Sequence, residues 1–152
     1  MDFDTILKNV RSLDLSILVS DMVERGKDRA QAEGSVEQYR LFLATCVAYP
    51  NVDLVPTFYL DDAWHAHMLR PAKYYQDCMT IAGRILDHDP GVYRTGSFED
   101  AYDLTRKLVP YGAAMPVDPY APDNVMAGAE CYKRREPGED PEDPLAVTKL
   151  AA

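Results

Sequence analysis

The sequence predicts an all-α protein, a single compact domain of about five or six helices with an irregular, proline-rich C-terminal tail. Three observations carry that reading. The chain has 152 residues, 47% of them hydrophobic, which suits one core and not two folds joined by a linker. Apolar positions recur at three-and-four spacing through residues 1–109, the period of helices with one buried face. Seven of the eleven prolines lie from Pro110 onward, where neither a helical nor a strand period survives. The expected organisation is a helical domain over 1–109, an irregular segment over 110–135 packed on it, and a disordered tail over 136–152.

Each helix has its own signals. A short first segment carries Phe3, Ile6, Leu7 and Val10. Asp14 can cap a second helix, whose Leu15, Leu18, Val19, Met22 and Val23 share a face and which Gly26 ends. Ser35 and Gln38 form a capping-box pattern ahead of Val36, Tyr39, Phe42, Leu43, Cys46 and Val47, and Pro50 stops that helix. After a loop over 51–56, Thr57 can cap a helix carrying Trp64, His65, His67 and Met68. Proline suits the first turn of a helix and clashes in its interior. A break is therefore expected at Leu69 or Arg70, with a new helix from Pro71 to Ala82 and Gly83 near its end; one kinked helix is the alternative. Residues 84–96 read as an ordered loop. Ser97 with Asp100 then opens a helix through Phe98, Ala101, Tyr102, Thr105 and Leu108, ended by Pro110. Tyr111, Tyr120 and Tyr132 punctuate the tail, where their rings are expected to anchor its first part over the helices. The acidic, proline-rich run over 136–144 has a disordered composition.

Charge and cysteine usage narrow the function classes. Sixteen basic and 25 acidic side chains leave a formal charge of -9, which repels a phosphate backbone or an anionic bilayer. Neither nucleic acid nor a membrane is expected as a partner. The N-terminus Met1-Asp2-Phe3-Asp4 is acidic where a secretory signal is basic, and no apolar run approaches the roughly 18 residues of a membrane span. Cys46, Cys78 and Cys131 are odd in number and far apart, so neither a disulfide framework nor a CxxC knuckle can be read from them. Reduced thiols in a cytoplasmic protein fit best. Cys78 and Cys131 read as small buried apolar residues, with Cys131 also a candidate soft ligand. The basic triplet Lys133, Arg134 and Arg135 runs straight into Glu136, Glu139, Asp140, Glu142 and Asp143, a solvated mixed-charge tail.

The chemistry concentrates in one stretch. All three histidines fall within the 24 residues from His65 to His88, together with Asp61, Asp62, Asp77, Asp87 and Asp89. Imidazole with carboxylate suits zinc, iron or manganese, and the same pair moves protons near neutral pH. At about 100° per residue, His65 and His67 point roughly 160° apart on one regular helix and do not easily grip one ion. The break at Pro71 can change that, and His88, from the following loop, can supply a third ligand. Asp61 lies one turn before His65, where it can orient the ring; Asp61 and Asp62 equally suit a helix N-terminus through the macrodipole. On a common wheel Trp64, Met68, Tyr75, Cys78, Met79 and Ala82 form one stripe with the two histidines at its borders.

The string Trp64-His65-Ala66-His67-Met68-Leu69, then Tyr74 and Cys78, then Gly83-Arg84-Ile85-Leu86-Asp87-His88-Asp89-Pro90 resembles the glycine-rich domain-containing protein-like family. These are helical proteins, found alone in bacteria and fused to other modules in plants and fungi. The resemblance covers roughly residues 36–93. Two positions depart from the family pattern. Its Asp-Thr after the second histidine is Arg70-Pro71 here, and the first His of its His-His pair is Asp87. The family's glycine-rich tail is absent from this sequence, Ala127-Gly128-Ala129-Glu130-Cys131 being at most a remnant of it. The resemblance implies a helical fold and draws attention to the histidine site, but it implies no particular reaction.

Three functions follow as expectations. In the first, His65, His67 and His88 bind a divalent metal, zinc or iron, with Asp61 or Asp87 beside them. Such a site can catalyse a reaction on a small-molecule substrate, His65, Asp61 and Asp87 being the catalytic candidates and Trp64, Tyr74, Tyr75 and Tyr93 lining the pocket. In the second, a helical interaction module, Trp-His-x-His holds two helices together and the acidic tail contacts a protein partner. The third is a metal-free acid–base enzyme, such as a dehydratase, isomerase or cyclase, built on a His–Asp pair.

Overall fold

The computed structural model describes residues 1–88 and 98–129. Within them the chain forms six α-helices, α1 (Phe3–Arg11), α2 (Ser16–Glu24), α3 (Arg29–Ala48), α4 (Phe58–Met68), α5 (Pro71–Ala82) and α6 (Phe98–Leu108), with a short 3-10 turn at Gly112–Ala114. No strand occurs among the described residues, and none of the helices is long and apolar enough to cross a membrane. The tail over 136–152, with Cys131, Tyr132 and the basic triplet, lies outside the described residues, as do Ser97 and most of the 84–96 loop.

Helix α3 is the hub. Its buried residues include Ala32, Val36, Tyr39, Phe42, Leu43 and Ala44, and it packs against α1, α2 and α4. Removing each such large apolar side chain from water is worth roughly 1.5–3 kcal/mol. Its start differs from the expected one. Asp28, not Ser35, caps the helix, its carboxylate accepting from the backbone N–H of Gln31 at 3.2 Å. Ser35 is instead fully buried mid-helix, its hydroxyl donating to the carbonyl of Tyr59, and the Gln38 carbonyl oxygen accepts from the Thr57 hydroxyl at 2.6 Å. The capping-box spelling at Ser35 and Gln38 was thus filled by contacts to α4, because a stronger cap stood seven residues earlier.

Pro71 acts as the sequence requires. It sits in the first turn of α5, where its missing N–H has no partner to lose. The guanidinium of Arg70, at the corner between α4 and α5, forks onto both oxygens of Asp21 in α2 at 2.6 and 2.8 Å. The Arg70–Pro71 departure from the family pattern is therefore a structural corner. The break also resets the helical wheel. Tyr74 and Cys78 face the core from α5, while Tyr75 and Met79 are 52% and 41% exposed, so the single stripe expected across both helices does not form.

The segment after α6 closes over the start of α4. The first N–H groups of any helix lack intrahelical partners. Here Phe58 and Tyr59 donate theirs to the carbonyls of Ala127 and Val125 at 3.1 and 2.9 Å, Thr57 pairs with Gly128, and the Thr57 hydroxyl accepts from Leu60. The Tyr120 hydroxyl donates to Glu99 at 2.7 Å and its ring lies 5.3 Å from that of Phe98. Gly128 lets this strap approach, since a Cβ there would meet the Phe98 ring. Gly128→Ala is expected to lower stability by about 1–3 kcal/mol through that overlap, read as a drop in Tm by thermal denaturation. An unchanged Tm would mean that the strap contributes nothing.

Candidate metal centre

Thr57 sets the phase of α4, and with it the positions of Asp61 and His65 one turn apart on the same face. Asp61 is largely covered, whereas the His65 side chain is 46% exposed. Their Oδ2 and Nε2 atoms lie 3.4 Å apart. The third group arrives from beyond α5. Gly83 ends that helix in the left-handed region at φ 66°, and the chain turns back along α4.

A buried clamp then fixes where His88 falls. The Leu86 side chain is 3% exposed. Its carbonyl accepts from the Tyr74 hydroxyl, which in turn accepts from the Trp64 indole N–H at 2.9 Å. The Cys78 thiol beneath it is buried, which pushes its titration up, so that sulfur stays a neutral packing group. Two residues on, the His88 ring lies 4.3 Å from the Trp64 ring. Its Nε2 is 3.0 Å from Asp61 Oδ1 and 3.2 Å from His65 Nε2.

Asp61, His65 and His88 therefore each bring one candidate ligand atom within 4.8 Å of the others. Ligands held about 2.1 Å from an ion, at tetrahedral or octahedral angles, stand about 3.0–3.4 Å from each other. The separations of His88 Nε2 from Asp61 Oδ1 and from His65 Nε2, 3.0 and 3.2 Å, fall in that interval, while His65 Nε2 stands 3.4 Å from the other carboxylate oxygen, Oδ2. Each ring can donate an Nε2–H to its own oxygen of Asp61, and a cation bound among the three groups would take the place of those protons.

His67 goes elsewhere, as the angle between the two α4 histidines requires. It is 1% exposed; Nε2 meets Asp77 Oδ2 at 3.0 Å and Nδ1 meets the Tyr39 hydroxyl at 3.0 Å. A carboxylate only accepts, so Nε2 carries the ring proton and Nδ1 accepts from Tyr39. Burial raises the Tyr39 hydroxyl well above its usual range and keeps it a donor. Burial also lowers the pKa of His67, with the nearby Asp77 charge opposing it. Lys73 holds the same Asp77 oxygen at 2.9 Å. Both nitrogens of His67 are thus committed to the core, and the ligand expectation for this residue gives way to a structural one.

The other candidates divide. Trp64 and Tyr74 are buried beside the site and form the clamp, Tyr75 is exposed on α5, and Asp87 is exposed and outside the three-residue group. Tyr93 lies outside the described residues. Tyr39 was legible only as a core residue, because nothing in its local sequence announces a histidine partner 28 positions away. Beside the centre an open groove of about 600 Å³ is lined by His65 with Met22, Arg25, Lys27, Asp62 and Leu69, among others.

No protein-family model and no solved structure matches the chain. Over 35 residues, 23% of this chain, it is 43% identical to Glycine-rich domain-containing protein 1 of Arabidopsis thaliana, a stretch that takes in 4% of that protein. The likeness is short, and it agrees in name with the family suggested by the Trp-His-x-His string.

Proposed function

We propose that the protein binds one divalent transition metal, zinc or iron, through Asp61, His65 and His88, and acts with it on a small molecule in the cytoplasm. The convergence of two imidazole nitrogens and a carboxylate at ligand-to-ligand distances carries this reading. Three protein ligands of this type leave coordination positions open, as in catalytic zinc and non-haem iron sites. A bound ion there supplies Lewis-acid polarisation or an acidified water. The chain's own residues do the rest. Asp61 offsets part of the ionic charge, the clamp orients His88, and the half-exposed His65 opens the centre to the groove. Membership of the glycine-rich domain-containing protein-like family is part of the same proposal, since Trp64, Tyr74 and Cys78, which carry that resemblance, build the clamp.

The test is elemental analysis of protein purified without a histidine tag, beside Asp61→Asn, His65→Ala and His88→Ala. About one equivalent of zinc or iron is expected in the wild type, with affinity lowered at least about 100-fold in each variant. Metal content unaffected by all three substitutions, or no uptake by the wild type after supplementation, overturns the reading.

A further inference from the structure

Arg25 stands apart from the other arginines of the described chain. Arg11, Arg29, Arg40, Arg70, Arg84 and Arg106 each engage a carboxylate or a backbone carbonyl. The Arg25 side chain makes no hydrogen bond or close ion pair among the described residues, its charge reaching the Asp21 carboxylate only at longer range, and it lines the groove that His65 also lines. The remaining charges of that lining are already matched. Lys27 pairs with Asp62, and the Asp28 carboxylate caps α3. The Arg25 guanidinium is left, together with the apolar surface of Leu69, which is 64% exposed.

We infer that this groove binds a small organic carboxylate with an apolar body, its carboxylate held by Arg25 and its body lying against the exposed Leu69. The inference rests on the metal reading for its chemistry, since it names the substrate class that would be presented to the centre at His65. The planar fork of a guanidinium matches a carboxylate in two parallel hydrogen bonds. A phosphate dianion suits the lining less well, because Asp28 and Asp62 share the groove and only one positive charge is uncommitted. A groove of about 600 Å³ is of the size that encloses a small metabolite. A residue as exposed as Arg25 can be replaced without disturbing the core.

Octanoate is the probe, titrated calorimetrically into the metal-supplemented full chain, with octanol as the uncharged control. Octanoate is expected to bind, octanol to bind at least about tenfold more weakly, and Arg25→Gln to weaken octanoate by at least about tenfold while metal content stays at the wild-type level. Failure of octanoate to bind, equal binding of octanol, or indifference to Arg25→Gln overturns the inference. The same titration on His88→Ala separates the two proposals. Arg25-dependent octanoate binding in a chain that holds no metal, in wild type and variant alike, leaves the groove standing and removes the metal. A metal-loaded wild type with no Arg25 effect does the reverse.

Discussion

His67→Ala is expected to lower the stability of the protein by about 2–4 kcal/mol and yet leave metal binding at the wild-type level. The substitution opens a cavity at a site that is 1% exposed and leaves the Tyr39 hydroxyl without its acceptor. Asp77 keeps Lys73, which limits the loss. None of these groups belongs to the Asp61–His65–His88 centre. A pH signature accompanies the stability effect. Burial depresses the folded-state pKa of His67, so the unfolded chain takes up the proton first. The contribution of the neutral ring is complete above the unfolded value of about 6.5 and is lost as pH falls from there towards the folded value. Urea denaturation between pH 8 and pH 5, with chelator present, should show stability declining on the acid side in the wild type and a shallower decline in His67→Gln. Equal slopes would mean that the ring does not titrate as a buried neutral group. Loss of metal in a folded His67 variant would return this residue to the ligand set.

Trp64→Ala should lower stability by about 3–5 kcal/mol, since the indole is 2% exposed and packs on Tyr39, Phe42 and His88. The sharper instrument is Tyr74→Phe. It keeps the ring and removes only the hydroxyl that joins the Trp64 N–H to the Leu86 carbonyl. Unpairing those two buried groups is worth about 1–3 kcal/mol. Because Leu86 fixes the approach of His88, zinc affinity should also fall by about 10–100-fold, the usual effect of removing a group that orients a ligand. Competition with a chromophoric chelator measures this. A Tyr74→Phe protein that is destabilised but holds zinc as tightly as the wild type would reduce the clamp to ordinary core packing.

Short-range signals were the legible part of this fold. Thr57 as a cap, Pro71 in a first turn and Gly83 as a stop depend on neighbours within one helical turn, and all three act as their chemistry requires. The start of α3 was misplaced because two capping spellings compete there, and only the packing of Ser35 and Gln38 against the α4 end of the chain decides between them. The wheel drawn across α4 and α5 misassigned Tyr75 for a related reason, since a change of helix axis at Pro71 restarts the phase.

The histidine cluster was visible as composition, and so was the divergence of His65 from His67, which is a property of any helix with this spacing. The sequence by itself thus determined the all-α class, the helix breaks, and the grouping of histidines and aspartates between Asp61 and His88. Only the tertiary structure decided which histidines meet. His88 reaches Asp61 because a buried Leu86 is tied to α5 through Tyr74, whose hydroxyl also holds Trp64 of α4, and His67 is withdrawn because Tyr39 and Asp77 satisfy both of its nitrogens. Those partnerships lie 10 to 28 residues apart in sequence. They are set by burial and by the need to pair every buried polar group, and a local pattern contains neither.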